Sequence, residues 1–168
     1  MDLAHRILGR VWRTIPEGVR WYIQWALNPK VVVGVSGILL NERDEVLLLR
    51  HRFHPENPWG FPGGWLNRGE SVDQAWLREV KEETGLDAVV EGLVMQENSL
   101  LTLEFILWGR VTGGALALDG LEILDAQYFA ADNLPAGLHE DHQAVVHMVF
   151  ARRTVGMPRI KNRVMRDS

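Results

Sequence analysis

The sequence predicts an α/β or α+β layered domain, because strand signals are mixed with two or three helix signals over the length of one domain. Three observations carry this. Val31 to Leu40 is nearly all apolar and rich in β-branched residues, which reads as a buried strand. His54 to Gly64 holds three prolines and three glycines and demands a loop. Ser71 to Thr84 carries the signals of both ends of a helix. At 168 residues the chain has room for one ordinary domain and a short extension.

The elements follow in order. Leu3, Ile7, Leu8, Val11 and Trp12 recur at helical spacing, with Arg6, Arg10 and Arg13 elsewhere around the wheel. Pro16 suits a second helix start, and Val19 to Leu27 is apolar except for Arg20 and Gln24. Trp21 and Trp25 share a face of that helix, which Asn28-Pro29 ends. Residues 1–30 are therefore an amphipathic helical extension, expected to pack on the domain or on a second copy as a homodimer. A membrane-surface helix is the lesser alternative. The domain proper takes residues 31–153. After the first strand, Asn41 to Asp44 is a turn and Val46 to Leu49 a second strand. Val89 to Met95 and Leu100 to Val111 are strands, Gly113-Gly114 a turn, and Ile123 to Phe129 a further strand. Leu134-Pro135 precedes a last helix over 139–152, and residues 154–168 form a basic tail.

Composition narrows the function. With 46% hydrophobic and 24% charged residues the chain is globular in type. No apolar run approaches the ~20 residues of a membrane span, and arginines interrupt the N-terminus where a signal peptide needs an apolar run, so a cytoplasmic location is expected. No cysteine is present, which excludes disulfides and thiolate metal sites. Residues 1–30 carry net +3 and residues 151–168 net +5, which leaves −12 for the middle out of a total of −4. An acidic body repels bare phosphate, so phosphate chemistry there needs divalent cations. DNA is not an expected partner. RNA contact through the basic ends is a lesser alternative.

The helix at 71–84 carries the chemistry. Ser71 and Gln74 form a capping box and Gly85 stands where a left-handed cap belongs. At 100° per residue Val72, Ala75, Trp76 and Val80 make one stripe; Glu79 and Glu83 fall inside it and Glu82 at its edge. Glutamates at such spacing also suit a solvated face. Carboxylates at the end of a core-facing stripe, however, need cations to stay ionised, and hard oxygen ligands at this density suit Mg²⁺ or Mn²⁺. Ahead of the helix, Pro62-Gly63-Gly64 allows backbone to approach a ligand, and Gly69-Glu70 adds a fourth acidic group.

Gly64, five residues, Glu70, seven residues, then Arg78-Glu79-Val80-Lys81-Glu82-Glu83-Thr84-Gly85-Leu86 resembles the signature of the Nudix hydrolases, the MutT-like family, at every defined position. Trp59-Gly60-Phe61-Pro62-Gly63 is similar to the family's approach to that box. The resemblance covers 31–150. It implies an α/β/α sandwich around a mixed β-sheet and hydrolysis of a phosphoanhydride in a nucleotide or nucleotide sugar. Glu79 and Glu83 would be the main metal ligands, Glu82 a ligand or general base, and the Gly64 carbonyl would complete the shell. Glu70 would be an auxiliary ligand, and Arg78 would orient the glutamates. Glu122, six positions before Tyr128, is similar to an acidic residue that members add beyond the box; a solvated loop carboxylate fits it nearly as well.

The substrate is less legible. Arg50 and Arg52 flank His51 at the end of the second strand, where either one binds phosphate or is an ordinary surface arginine. Trp59 and Phe61 suit stacking on a base or packing in the core. A non-catalytic nucleotide sensor on the same fold is the alternative to an enzyme.

Overall fold

The computed structural model describes residues 10, 12–28, 30–118 and 120–154, with side chains up to Arg152. The first amphipathic segment, apart from residues 10 and 12, and the basic tail beyond Thr154 lie outside the described residues. Two compact units divide after Val31. The first contains helix α1 (Glu17–Leu27), which has no buried residue.

The second unit is built on a seven-stranded sheet of β1 (Val32–Leu40), β2 (Val46–His51), β3 (Trp59–Gly60), β4 (Gly63–Trp65), β5 (Leu86–Asn98), β6 (Thr102–Gly114) and β7 (Ile123–Phe129). The main path runs β3-β2-β1-β6-β5, with β4 paired to β1 and β7 to β2. β1 is parallel to β6 along its whole length, from Val32↔Thr102 to Leu40↔Arg110, while its other pairings are antiparallel. The sheet is therefore mixed. Along its other edge β1 changes partner: Gly34, Val35 and Ser36 face β4, whereas Leu39 and Leu40 face β2.

The apolar run in β1 is explained by helices on both faces of the sheet. Ile38 and Leu40 join Val46, Leu48 and Ile106 in a core closed by Val145, Val146 and Val149 of α3 (Glu140–Thr154). Val35 and Leu39 join Leu47, Leu49 and Leu107 in a second core closed by Ala75, Trp76 and Val80 of α2 (Val72–Thr84). Helices on opposite faces of a mixed sheet make the α/β/α sandwich that the resemblance implied. The end signals of α2 also hold. Ser71 Oγ accepts from the Gln74 amide, the Gln74 side chain accepts from the Ser71 amide, and Gly85 is left-handed at φ 72°.

Three sequence expectations change. The loop at 54–64 contains the short strands β3 and β4, too brief for periodicity to register. β5 starts at Leu86, directly after the cap, and extends to Asn98. Gly113-Gly114 is not a turn but the end of β6, opposite Asp87 and Leu86. A Cβ on Gly114 would stand 2.7 Å from the Gly85 carbonyl oxygen and 2.9 Å from Leu86 Cα, so the glycine serves close backbone approach.

Candidate active site

The chemistry gathers where α2 crosses β4. Pairing of Gly63 and Gly64 with Ser36 and Val35 fixes β4 on the sheet. The indole of Trp76, fully buried on α2, donates to the Pro62 carbonyl at 3.1 Å and ties the helix to the same segment. The next turns of the helix then bring two carboxylates onto the glycine pair. Glu83 Oε2 accepts from the Gly63 amide at 2.9 Å. Glu79 lies against Gly64 so closely that a Cβ there would meet its carboxylate, with Cδ at 2.5 Å and Oε2 at 2.8 Å. Glycine at 64 therefore leaves the Glu79 carboxylate room at this position.

Arg78 organises the remaining acids. Its Nε and Nη2 meet the two oxygens of Glu70 at 2.9 and 3.1 Å, and Nη2 also donates to the Trp65 carbonyl at 3.0 Å. Nη1 bridges Glu79 at 2.8 Å and Glu82 at 3.1 Å. Glu70 and Glu79 are largely enclosed, with side chains 15% and 16% exposed, whereas Glu82 is 60% exposed. The Arg78 hydrogen bonds hold the Glu70 carboxyl below its ordinary range, and Glu70 followed by Glu79 raises the guanidinium in turn. Both oxygens of Glu70 are thus engaged, Oε2 also accepting from the Asn67 amide at 3.1 Å.

Among the described residues no three acidic or imidazole side chains stand close enough to hold a metal ion as they are placed. The donor chemistry nevertheless fits a hard divalent cation. Glu79 and Glu83, one helical turn apart, both reach a glycine strand that lets a ligand approach. Arg78 supplies the positive charge that balances the remaining acids.

Beside β4 opens a cleft of ≈ 540 Å³, lined by Gly63, Gly64, Trp59, Phe61, Trp65 and Glu122 together with residues the sequence did not single out. Those are Ser36, Glu104 and the histidines 51, 54, 139 and 142. Ser36 donates to Glu104 at 2.8 Å. Phe61 is buried in the α3-side core and stacks on His142 with ring centroids 4.6 Å apart. Core packing, one of the two readings the sequence left open for Phe61, is found, and the same ring lines the cleft. Burial pushes the His51 ring down to about 4, with His54 and His142 adding to the effect, and burial lowers His142 as well. At neutral pH these two rings are uncharged hydrogen-bonding groups. The cleft draws its residues from β1, β6, the end of β2 and the start of α3, and no local pattern could have joined them.

The two arginines expected near phosphate do not line this cleft. Arg52 is turned to the loop before β7, donating from Nε to the Leu121 carbonyl at 2.9 Å and from Nη2 to the Gly120 carbonyl at 3.2 Å. Arg50 is exposed on β2, beside a register shift between Arg50 and His51. That irregularity separates His51, which lines the cleft, from the arginine before it.

Comparison with known proteins agrees with this geometry. The sequence profile described as the NUDIX domain matches residues 30–149. An ADP-ribose pyrophosphatase of Methanocaldococcus jannaschii is 35% identical over 124 residues, covering 68% of this chain and 70% of that protein. The human 8-oxo-dGDP phosphatase NUDT18 is 32% identical over 128 residues, covering 73% of this chain but only 39% of its own length. Among solved structures, an ADP-ribose pyrophosphatase from Streptococcus suis superposes with a TM-score of 0.58 at 25% identity, over 72% of this chain and 92% of that one.

Proposed function

This chain is a Nudix hydrolase, and on that premise we propose that it cleaves, with Mg²⁺ or Mn²⁺, a phosphoanhydride bond in a nucleoside diphosphate linked to another moiety or in a nucleoside triphosphate. The observation that carries the reading is the approach of Glu79 and Glu83 to Gly63-Gly64 at the mouth of the aromatic and histidine-lined cleft. A diphosphate placed over the glycine strand would direct its nucleoside into that cleft, where Trp59, Phe61 and Trp65 offer apolar surface and neutral His51 and His142 offer hydrogen bonds to a base. The relatives named as acting on ADP-ribose and 8-oxo-dGDP support a substrate of this class.

The division of labour follows the surroundings of each carboxylate. Glu79 and Glu83, held at the glycine strand, and the Gly64 carbonyl would bind the cation, with Glu70 kept by Arg78 as an auxiliary. When bound, the cation neutralises the diphosphate and stabilises charge on the leaving phosphate. Glu82 reaches solvent and touches only Arg78 among the hydrogen bonds described above, which suits it to take the proton of an attacking water. Water then adds to one phosphorus, the bridging P–O bond breaks, and two phosphate-bearing products leave. Glu122, at the cleft wall, would be a further acid near the substrate.

A panel of nucleotide sugars, dinucleotides and nucleoside triphosphates with Mg²⁺ and Mn²⁺ tests this, scored for orthophosphate, pyrophosphate and sugar-phosphate products. Metal-dependent turnover that falls by ~10²–10⁴ in Glu82→Gln supports the assignment. Full activity in both Glu82→Gln and Glu83→Gln would overturn it. Tight nucleotide binding without turnover would instead favour a sensor.

A further inference from the structure

We propose that α1 is an interfacial anchor that holds this hydrolase on an anionic lipid bilayer. Every large apolar side chain of the helix except Ile23 is well exposed, Trp21 at 57%, Tyr22 at 61% and Leu27 at 80% among them, and none is buried. The shape of the apolar surface decides between partners. At 100° per residue the polar side chains Glu17, Arg20 and Gln24 occupy a strip of about 60°, and apolar or aromatic side chains fill most of the remaining circumference. A helix docked on one protein face covers a stripe on the order of 100° wide, which would leave one flank of this helix in water. A bilayer interface covers both flanks at once.

The tryptophans and the charge agree on which interface. Trp21 and Trp25 lie on one side of the helix, and amphipathic rings favour the headgroup level. Lys30 Nζ sits over the Trp25 ring, 4.5 Å from its centroid, so a cation and an aromatic ring share that level. Arg10 and Arg13 precede the helix in sequence and Lys30 follows it, all three exposed, and residues 1–30 carry net +3. The same charge would repel a second copy of the segment, and it complements anionic lipid. Eleven residues at 1.5 Å each are too short to cross a bilayer, and among the described residues no helix is long and apolar enough to do so. The helix therefore lies in the plane of the surface.

The test is co-sedimentation of the full chain with vesicles of equal phosphatidylglycerol and phosphatidylcholine, and with phosphatidylcholine alone. Binding to the anionic vesicles that weakens as salt rises from 50 to 500 mM is expected. Trp21→Ala with Trp25→Ala should lower it about tenfold, and Arg10→Glu with Arg13→Glu should weaken it and flatten its salt dependence. Far-ultraviolet circular dichroism and hydrolysis of a soluble substrate should be unchanged in both variants, which lie outside the proposed active site. No binding, or equal binding by the tryptophan variant, would overturn the proposal. So would a dimer in sedimentation equilibrium that the tryptophan variant dissociates, or a short RNA that competes the vesicles away and binds more tightly.

Discussion

Gly64 offers the sharpest perturbation of the site, because its neighbour Gly63 provides the control. A Cβ at 64 would lie 2.5 Å from Glu79 Cδ, about 1 Å inside ordinary carbon contact of ~3.5 Å. The clash is with the far end of a flexible side chain, so Gly64→Ala is relieved by swinging that carboxylate away by about 1 Å, and the fold should survive. Displacing a catalytic group by that much costs on the order of 10²-fold in turnover, or about 2.7 kcal/mol in the barrier. In Gly63→Ala the new Cβ meets Ser36 Cα at 2.6 Å and the Val35 carbonyl oxygen, which are backbone of the central strand and cannot swing. That variant should lose about 1–3 kcal/mol of stability and melt several degrees lower. Thermal melts with kcat measured on a substrate from the panel decide the matter. A Gly64→Ala protein with wild-type kcat would refute the assignment of Glu79 to the chemistry. One that melts like Gly63→Ala would refute the claim that only Glu79 yields.

Further outcomes follow from other contacts. Arg78→Met should raise the Glu70 carboxyl toward its ordinary value, read by carbon NMR titration, because the guanidinium hydrogen bonds that lower it are gone; an unmoved Glu70 titration would rule that out. Glu83→Gln keeps an acceptor for the Gly63 amide, so it should fold normally while metal-dependent turnover falls by at least about a hundredfold. The unfolded chain takes a proton on His51 near 6.5 and the folded chain only near 4. Stability should therefore fall as pH drops through that window. The contribution is on the order of 1–2 kcal/mol once solvent screening of a partly open ring is allowed for. His54, His139, His142, Glu104 and Glu122 line the same cleft, so urea midpoints at pH 7 and 4.5 are compared with His51→Gln, whose smaller pH dependence isolates the ring. An identical dependence would sink this reading.

The fold class and the acidic helix were legible because their signals are local. Ser71, Gln74 and Gly85 fix the ends of α2 through contacts within four residues, and the side-chain period places Glu79 and Glu83 on its inner face. An apolar β1 likewise requires cover on both faces. The Arg78 network was half legible: spacing put Glu82 one turn away, but Glu70 and the Trp65 carbonyl reach the guanidinium only because the chain folds back before the helix. The cleft lay beyond sequence reasoning. His51 and His142 are separated by 91 positions, Ser36 and Glu104 by 68, and they meet because β1 exchanges β4 for β2 along one edge while α3 closes the face behind. The same folding turns Arg52 onto the loop carbonyls at Gly120 and Leu121, partners 68 and 69 positions away along the chain. Sequence alone determined which groups carry charge and how the helix that bears them begins and ends, since those depend on neighbours along the chain. Tertiary structure decided what surrounds them, because burial and side-chain partners come from strands and helices far apart in sequence.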